Sequence, residues 1–305
     1  MNLTKYIIYS DRNLNSGGVA VFADHFVKYL EHFNIDYEEK DLGKPELNTI
    51  NVYTVLYVNW LFLFTAKNIY IVVHDLQHLT HPKNFSLKQR FFREIKIRFI
   101  SLLQIKVLTE SAYVREELIR RYGVSEVSKI TCFFPNNLIK PKVRGRLDDC
   151  LQILYPAKDW PHKRIRELIE WIRTYNLSSE DLELVLNLTN VPETLASDDV
   201  IVHGLLSHEE LVGLYSKCDL LYINSESESV SIPIFESWQA GMLCACSCYE
   251  WSLSQSNNGE LCLLNRTNDY KGFAGLINGL KTSHEIEMRE KAQEILLNQI
   301  SNFWL

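Results

Sequence analysis

Short apolar runs and longer amphipathic segments alternate along the whole chain. Short runs bounded by turn residues are typical of buried strands, and apolar positions recurring every three or four residues are typical of helices. Because the two patterns alternate, they predict an α/β architecture of parallel sheets covered by helices on both faces.

In the first half of the chain the pattern predicts strands at Lys5–Ser10, Thr54–Trp60, Ile69–His74, Ile105–Thr109 and Ile130–Phe134, and helices at Val21–Phe33, Ser86–Leu103 and Ala112–Tyr122. In the second half it predicts strands at Leu151–Tyr155, Leu182–Leu188, Val200–His203, Leu220–Asn224, Leu243–Ser247 and Glu260–Leu264, and helices at Arg164–Tyr175, His208–Lys217, Pro233–Ala240, Tyr270–Leu280 and Glu285–Ile300.

A basic segment broken by Pro and Gly, 136–146, separates the two halves and is typical of a linker. A chain of 305 residues is long for one core and comfortable for two domains. We therefore expect two Rossmann-like doubly wound domains, 1–147 and 148–305, facing across a cleft at the carboxyl ends of both sheets.

Composition and charge narrow the class of protein. The net charge of −6 gives no global attraction for nucleic acid, and no nucleic-acid-reading motif is present. The first apolar run is too short for a secretion signal. The apolar region 52–66 is shorter than the ~20 residues that span a bilayer. We therefore expect a cytoplasmic protein.

The seven cysteines are scattered, which indicates reduced thiols. Cys244, Cys246 and Cys248 alternate along one strand, but no His or further Cys pair lies at ligand spacing. We expect packed free thiols, with no metal site and no cofactor.

Two glutamates, Glu228 and Glu236, flank a strand-to-helix junction. Pro233 is typical of the first turn of a helix, so Glu228 lies close to a helix N-terminus, where free backbone N–H groups favour anions. Glu236 lies about one turn further in, where its carboxylate can accept hydrogen bonds from a diol such as a ribose. The alternative is a chance pair of acids on a solvated loop.

Lys158 and Lys163 lie on the loop after the first strand of the second half. Two lysines five positions apart, on a loop entering a helix, can form a positive clamp for a diphosphate. Solvated surface charges are the alternative.

Further candidates follow other strands. Gly17 and Gly18 precede a helix and allow the backbone close to a ligand. His74 ends a strand, and Asp75 is expected either to orient its imidazole or to cap the following turn.

His203 and Gly204 form a turn ahead of a helix. Ser207 and Glu210 have the spacing of a capping box, which predicts that the helix begins there.

The segment 228–236 resembles the donor-site signature of the GT-B fold retaining glycosyltransferases of family 4 (group 1), Glu-Gly-Phe-Gly-Leu-Pro-x-x-Glu-Ala. The phrase Tyr-Pro-Ala followed by Pro-His-Lys around Lys163, and the His-Asp turn, are similar to one subset of that family. In the signature Glu228, Pro233 and Glu236 match, Val230 and Ile232 are conservative, and Ser229 and Ser231 replace glycines.

The resemblance implies retaining transfer of a sugar from a nucleotide diphosphate, a UDP- or GDP-sugar, to a glycan or lipid-linked acceptor, as in bacterial surface polysaccharide synthesis. It also implies that the last predicted helix packs back onto the N-terminal domain. We expect no metal, because no Asp-x-Asp motif lies at a strand end in the cleft and the two lysines already offset the diphosphate charge. Lys158 would stand for an arginine of the family, without its bidentate fork. The implied catalytic residues are His74, Glu228 and Lys163, and the implied donor-binding residues are Gly17, Gly18, Lys158, Lys163, His203, Gly204, Ser229, Val230, Ser231 and Glu236.

Two other interpretations remain open. One is a non-catalytic nucleotide-sugar-binding subunit, because serine side chains in place of glycines could crowd the phosphate. The other is a different GT-B enzyme, such as a nucleotide-sugar epimerase or a phosphorylase.

Segment 86–106 carries six basic residues against one acid, with aromatic and aliphatic residues at helical spacing. This pattern predicts either a basic amphipathic helix on an anionic membrane surface, on the inner face, or a helix packed on the sheet with solvated charges.

Overall fold

The computed structural model describes residues 5–10, 18–56, 58–64, 68–130, 133, 135, 139, 150–280, 291, 292 and 294. These form two compact units, one of residues up to 133 and one of residues from 135 onward. The predicted linker and closing helix lie outside the described residues, apart from positions 139, 291, 292 and 294. The domain boundary at 147/148 therefore stays a prediction.

The first unit is built on a parallel six-stranded sheet in the order β2-β1-β3-β4-β5-β6. The chain order reverses between β1 and β3, as it does in doubly wound folds. Its elements are β1 (Tyr6–Ser10), α1 (Gly18–His32), β2 (Tyr37–Asp41), β3 (Ile50–Tyr53), β4 (Ile69–Val72), α2 (Gln77–Thr80), α3 (Leu87–Leu102), β5 (Lys106–Thr109), α4 (Ala112–Tyr122) and β6 (Val127–Lys129).

The core of this unit lies between its sheet and the covering helices. Ile71 and Val107 of the sheet pack in one cluster with Ile97 and Ile100 of α3 and Leu118 of α4. Full burial of each such side chain contributes about 1.5–3 kcal/mol, which holds these helices against the sheet.

One strand prediction in this unit is wrong in position. The predicted strand Thr54–Trp60 is replaced by β3, which begins at Ile50. Asn51 inside β3 is fully buried, and its amide side chain bonds the backbone of Glu46, so a polar residue occupies a core position. Most of the predicted strand Ile130–Phe134 lies outside the described residues, and β6 ends just before it, at Lys129.

The second unit contains a parallel six-stranded sheet in the order β12-β11-β10-β7-β8-β9. The chain order reverses between β7 and β10, the Rossmann arrangement, in which ligands bind beyond the carboxyl ends of the strands at the reversal. Its elements are β7 (Cys150–Pro156), α5 (Ile165–Ser178), β8 (Glu183–Thr189), β9 (Val200–Val202), α6 (His208–Lys217), β10 (Leu220–Ile223), α7 (Ile232–Gln239), β11 (Leu243–Ser247), α8 (Glu250–Gln255), β12 (Leu263–Asn265) and α9 (Tyr270–Gly279).

Helix starts in this unit follow local chemistry. Pro233 lies in the first turn of α7, as predicted. Ser207 and Glu210 form the predicted capping box at the start of α6. β12 begins three residues later than the predicted strand, at Leu263.

The cysteines of the described part of the chain are free thiols. Cys262 lies 3.2 Å from the sulfur of Cys244 and 3.4 Å from that of Cys246, all three buried. Burial raises the pKa of the Cys262 thiol well above its ordinary value, so this thiol packs as a neutral group.

Candidate functional site

Two loops of the second unit follow the strands at the reversal, β7–α5 and β10–α7. The N–H of Glu226 donates to the carbonyl of His162 at 2.8 Å. The side-chain amide of Asn224 donates to the carbonyl of Arg164 at 3.0 Å. Backbone and side-chain bonds therefore tie the two loops together at the carboxyl edge of the sheet.

Lys163 and Glu228 form an ion pair between these two loops. The side chains are only 19% and 13% exposed. Behind them, the hydroxyl of buried Tyr155 donates to the carbonyl of Lys163 at 2.9 Å, which fixes the backbone of the lysine. The sequence predicted both residues as site residues, and the structure brings them into contact.

Arg164 was missed by the sequence analysis. Its backbone is left-handed, with φ 50°, a conformation that costs a non-glycine residue free energy and is found at functional sites. Its guanidinium pairs with Glu167, bonds the Tyr249 hydroxyl and reaches the carbonyl of Asn268 at 3.3 Å. It thereby ties the β7–α5 loop to the loops after β11 and β12.

Glu236 is buried in α7, with 6% of its surface exposed. The hydroxyl of Tyr215, from α6, donates to its Oε2 at 2.7 Å. Burial raises the pKa of the Glu236 carboxyl, and the bond from Tyr215 opposes that rise. The carboxylate is thus held in a fixed orientation, with Oε2 already accepting a hydrogen bond.

The backbone just before α7 is held by α8. The N–H of Ser231 donates to Oε1 of Gln255 at 2.9 Å, and Nε2 of Gln255 donates to the carbonyl of Ser231 at 2.8 Å. Ser231 is buried, while Ser229 and Val230 are half-buried. The N–H of Ser231 is therefore engaged by the protein.

Lys158 is exposed on the β7–α5 loop. Within the described ranges, its side chain makes no hydrogen bond or ion pair like that of Lys163, so only one of the two predicted lysines is tied into the site.

His203 and Gly204 lie at the end of β9. Nε2 of His203 lies 3.0 Å from Oδ1 of Asn187, and burial, assisted by Lys217, lowers the pKa of His203. Gly204 has φ 67°, a left-handed conformation that glycine tolerates best. The turn therefore carries an uncharged imidazole at neutral pH.

In the first unit, His74 lies between two acceptors at the carboxyl edge of the sheet. Its Nδ1 is 2.8 Å from Oε2 of Glu110, and its Nε2 is 2.8 Å from the carbonyl of Thr54. Burial lowers the pKa of His74, but Glu110 and the Thr54 carbonyl outweigh that effect and raise it above its ordinary value.

Asp75 was predicted either to orient the imidazole of His74 or to cap the following turn. Oδ1 of Asp75 accepts from the N–H of Gln77 at 3.0 Å and pairs with Arg93 at 3.2 Å. Asp75 thus caps the following turn, and Glu110 contacts the imidazole instead. Gly18 begins α1, and Gly17 lies outside the described residues.

Comparison with known proteins gives a fold but no close relative. No protein-family model matches the chain. No curated protein matches it significantly.

Solved structures match nearly the whole chain. A sucrose-phosphate synthase from Thermosynechococcus elongatus is 14% identical, with a TM-score of 0.75 and 98% of each chain covered. HepE from Anabaena, in complex with UDP and glucose, is 13% identical, with a TM-score of 0.70, over 97% of this chain and 95% of HepE.

TarM of S. aureus is 13% identical with a TM-score of 0.64, over 82% of this chain and 52% of TarM, so this chain spans about half the length of TarM. At these identities the likeness concerns the fold. The chain has the GT-B fold of two Rossmann-like domains, as predicted.

Proposed function

We propose that this protein is a retaining glycosyltransferase of the family 4 type. It transfers a sugar from a nucleotide diphosphate to a hydroxyl of a glycan or lipid-linked acceptor, in bacterial surface polysaccharide synthesis. The observation that carries the proposal is the ion pair of Lys163 and Glu228 at the chain reversal of the second unit, where this fold binds its ligands.

The ion pair supports a specific order of events. A diphosphate brings more negative charge to Lys163 than the single carboxylate of Glu228 does, so it displaces that carboxylate from the ammonium group. Glu228 then becomes available to accept hydrogen bonds from hydroxyls of the donor sugar. Binding of the phosphates and positioning of the sugar are thereby coupled through one lysine.

The nucleoside is held by groups around this pair. Glu236 accepts from the ribose through Oε1, while Tyr215 holds Oε2. His203 and Gly204 line the place for the base. The family resemblance assigns further phosphate contacts to Lys158, to the backbone of Gly17 and Gly18, and to Ser229, Val230 and Ser231 just before α7.

The chemical step uses the leaving group as the base. The bond between the anomeric carbon and the diphosphate oxygen breaks, the acceptor oxygen bonds that carbon on the same face, and the departing phosphate oxygen takes the acceptor proton. Lys163 stabilises the charge that develops on the diphosphate. The family resemblance assigns His74 a role beside the donor sugar. Similarity to HepE, whose structure contains UDP and glucose, favours a UDP-sugar.

A second candidate is a non-catalytic nucleotide-sugar-binding subunit. The N–H of Ser231 is engaged by Gln255, and serine side chains replace two glycines of the signature, which reduces the room and the donors available to a phosphate. Such a protein binds the donor and does not turn it over.

Donor turnover separates the two candidates. The isolated protein is incubated with UDP- and GDP-sugars and a panel of glycan and lipid-linked acceptors, and release of nucleoside diphosphate is followed. We expect release that depends on an acceptor, with a product of unchanged anomeric configuration by NMR. Binding without release under every acceptor would favour the subunit, and an inverted product would refute retention.

The exposed surface of α3 supports a peripheral membrane location on the inner face. Helix α3 buries Ile97 and Ile100 but leaves Phe91 62% exposed and Leu102 75% exposed. Lys88, in the first turn of the same helix, is exposed as well. Every helix in the described ranges is too short or too polar to cross a bilayer.

A further inference from the structure

We propose that Glu110 is a positioning residue that keeps His74 protonated and fixed at neutral pH, so that His74 offers the donor a positive charge instead of a free ring nitrogen. The part of this proposal that concerns turnover rests on the proposed function. The part that concerns the charge of His74 rests on the first unit alone.

The sheet topology brings three residues together. Thr54, His74 and Glu110 follow β3, β4 and β5, which are neighbours in the sheet. Parallel strands end at the same edge, so residues just beyond them meet there. The ring of His74 bridges the other two, with 2.8 Å contacts on both nitrogens.

These contacts define where the protons are. A backbone carbonyl can only accept, so Nε2 of His74 carries a hydrogen and donates it to Thr54. Nδ1 faces the carboxylate of Glu110, which is also an acceptor when ionised. With a proton on each nitrogen, the ring is an imidazolium. It then donates one hydrogen bond to the carboxylate of Glu110 and another to the carbonyl of Thr54.

The surroundings favour this state. His74 is 14% exposed and Glu110 6%, so water screens their attraction little. From α1, the uncharged Phe22 packs its ring edge-on to the imidazole, with centroids 5.0 Å apart. Among the described residues, Asp75 also raises the pKa of His74, but its carboxylate already pairs with Arg93.

The charge of His74 depends on pH. A histidine whose pKa is raised in the folded state is charged below that pKa and loses its charge as pH rises through it. Without the carboxylate of Glu110, only the Thr54 carbonyl and Asp75 still oppose the effect of burial, and we expect the pKa of His74 to fall below the ordinary histidine range. The charge is then lost at neutral pH.

The test is ¹⁵N NMR of the histidine side chains in the full-length protein, with His74→Gln used to assign the signal. We expect both nitrogens of His74 to be protonated at pH 7 in the wild type. Glu110→Gln, which keeps the shape of the side chain, is expected to yield a neutral ring at pH 7. Asp75→Asn is the matched control and is expected to leave the ring protonated.

Donor turnover is then measured from pH 6 to pH 9. We expect kcat of Glu110→Gln to fall about tenfold for each pH unit above its lowered pKa, with little change in KM. A neutral His74 in the wild type, or a protonated one in Glu110→Gln, would overturn the charge assignment. A neutral ring with an unchanged pH profile would overturn the role in turnover. If no donor is turned over by the wild type, the NMR result still decides the charge of His74, and the proposed function fails separately.

Discussion

At the scale of single residues, the carboxylate of Glu228 and the diphosphate compete for the ammonium group of Lys163. Glu228→Gln removes the carboxylate that occupies Lys163, so nucleoside diphosphate alone is expected to bind at least as tightly as to the wild type. Turnover is expected to fall, because the sugar loses a contact that positions its reacting carbon. Calorimetry with UDP or GDP, beside initial rates with the donor, measures both effects.

The control for this variant is Glu209→Gln, which removes an exposed acid from the first turn of α6. It is expected to change neither quantity. Weaker nucleotide binding in Glu228→Gln would mean that Glu228 contacts the nucleotide itself.

Glu236 illustrates a conflict between stability and binding. Its carboxyl pKa is raised by burial, so the folded state binds the proton more tightly than the unfolded chain, and stability falls as pH rises from about 4.3 through the raised value. Glu236→Gln removes that cost and can still accept from Tyr215. We expect this variant to melt no lower than the wild type at pH 7, with the difference vanishing near pH 4.

The same variant is expected to lose roughly 1 kcal/mol or more of affinity for both nucleoside diphosphate and intact donor, because a neutral acceptor replaces a charged one at the ribose. Thermal melting across pH and calorimetry at pH 7 test the two halves. A lower melting temperature with unchanged nucleotide affinity would assign Glu236 to structure alone.

The sequence identified the two glutamates and the two lysines as separate pairs, each from its own strand-to-helix connection. Contact between Lys163 and Glu228 depends on β7 and β10 being neighbours, which residue spacing alone does not determine. Arg164 gave no signal, since its left-handed backbone and its bonds to distant loops are properties of the folded chain.

At the scale of elements, buried strands and amphipathic helices were predicted well because their apolar residues are contiguous or periodic. Helices α4 and α6 and strand β11 have the predicted bounds. The edge strand β2 was missed, because half-exposed edge positions accept the charged residues of the segment Tyr37–Asp41. The short helices α2 and α8 span too few turns to show a period.

Helix α3 carries the membrane prediction. We expect the wild type to sediment with phosphatidylglycerol vesicles at low salt and not with phosphatidylcholine vesicles, since each basic residue near an anionic surface contributes about 1 kcal/mol. A variant with Lys88→Gln, Arg90→Gln, Phe91→Ser and Phe92→Ser is expected to stay in the supernatant.

Leu177→Ser is the matched control, because Leu177 is 90% exposed in α5 of the second unit. Unchanged sedimentation of the fourfold variant, or no sedimentation of the wild type, would contradict membrane binding by α3. The helix would then only cover the sheet.

At the scale of the whole molecule, the fold followed from the alternation of strands and helices, and the structure confirms two doubly wound sheets. The order of strands within each sheet was not readable, because the pattern marks which residues are buried and not which strands are neighbours.

The proposed chemistry offsets the charge of the diphosphate with protein side chains, so transfer is expected to proceed in excess EDTA. Donor turnover with and without the chelator measures this directly. Activity abolished by EDTA and restored by Mn²⁺ or Mg²⁺ would show that a metal cation, together with Lys163, stabilises the charge of the diphosphate.

The central claim is that the chain reversal of the second unit binds a nucleoside diphosphate at Lys163, and calorimetry with UDP, GDP and ADP tests it most directly. At least one of the three is expected to bind the wild type, Lys163→Gln is expected to weaken that binding by roughly 10- to 100-fold, and the exposed-lysine control Lys271→Gln is expected to leave it unchanged. No binding of any of them, or equal binding to wild type and Lys163→Gln, would contradict the claim.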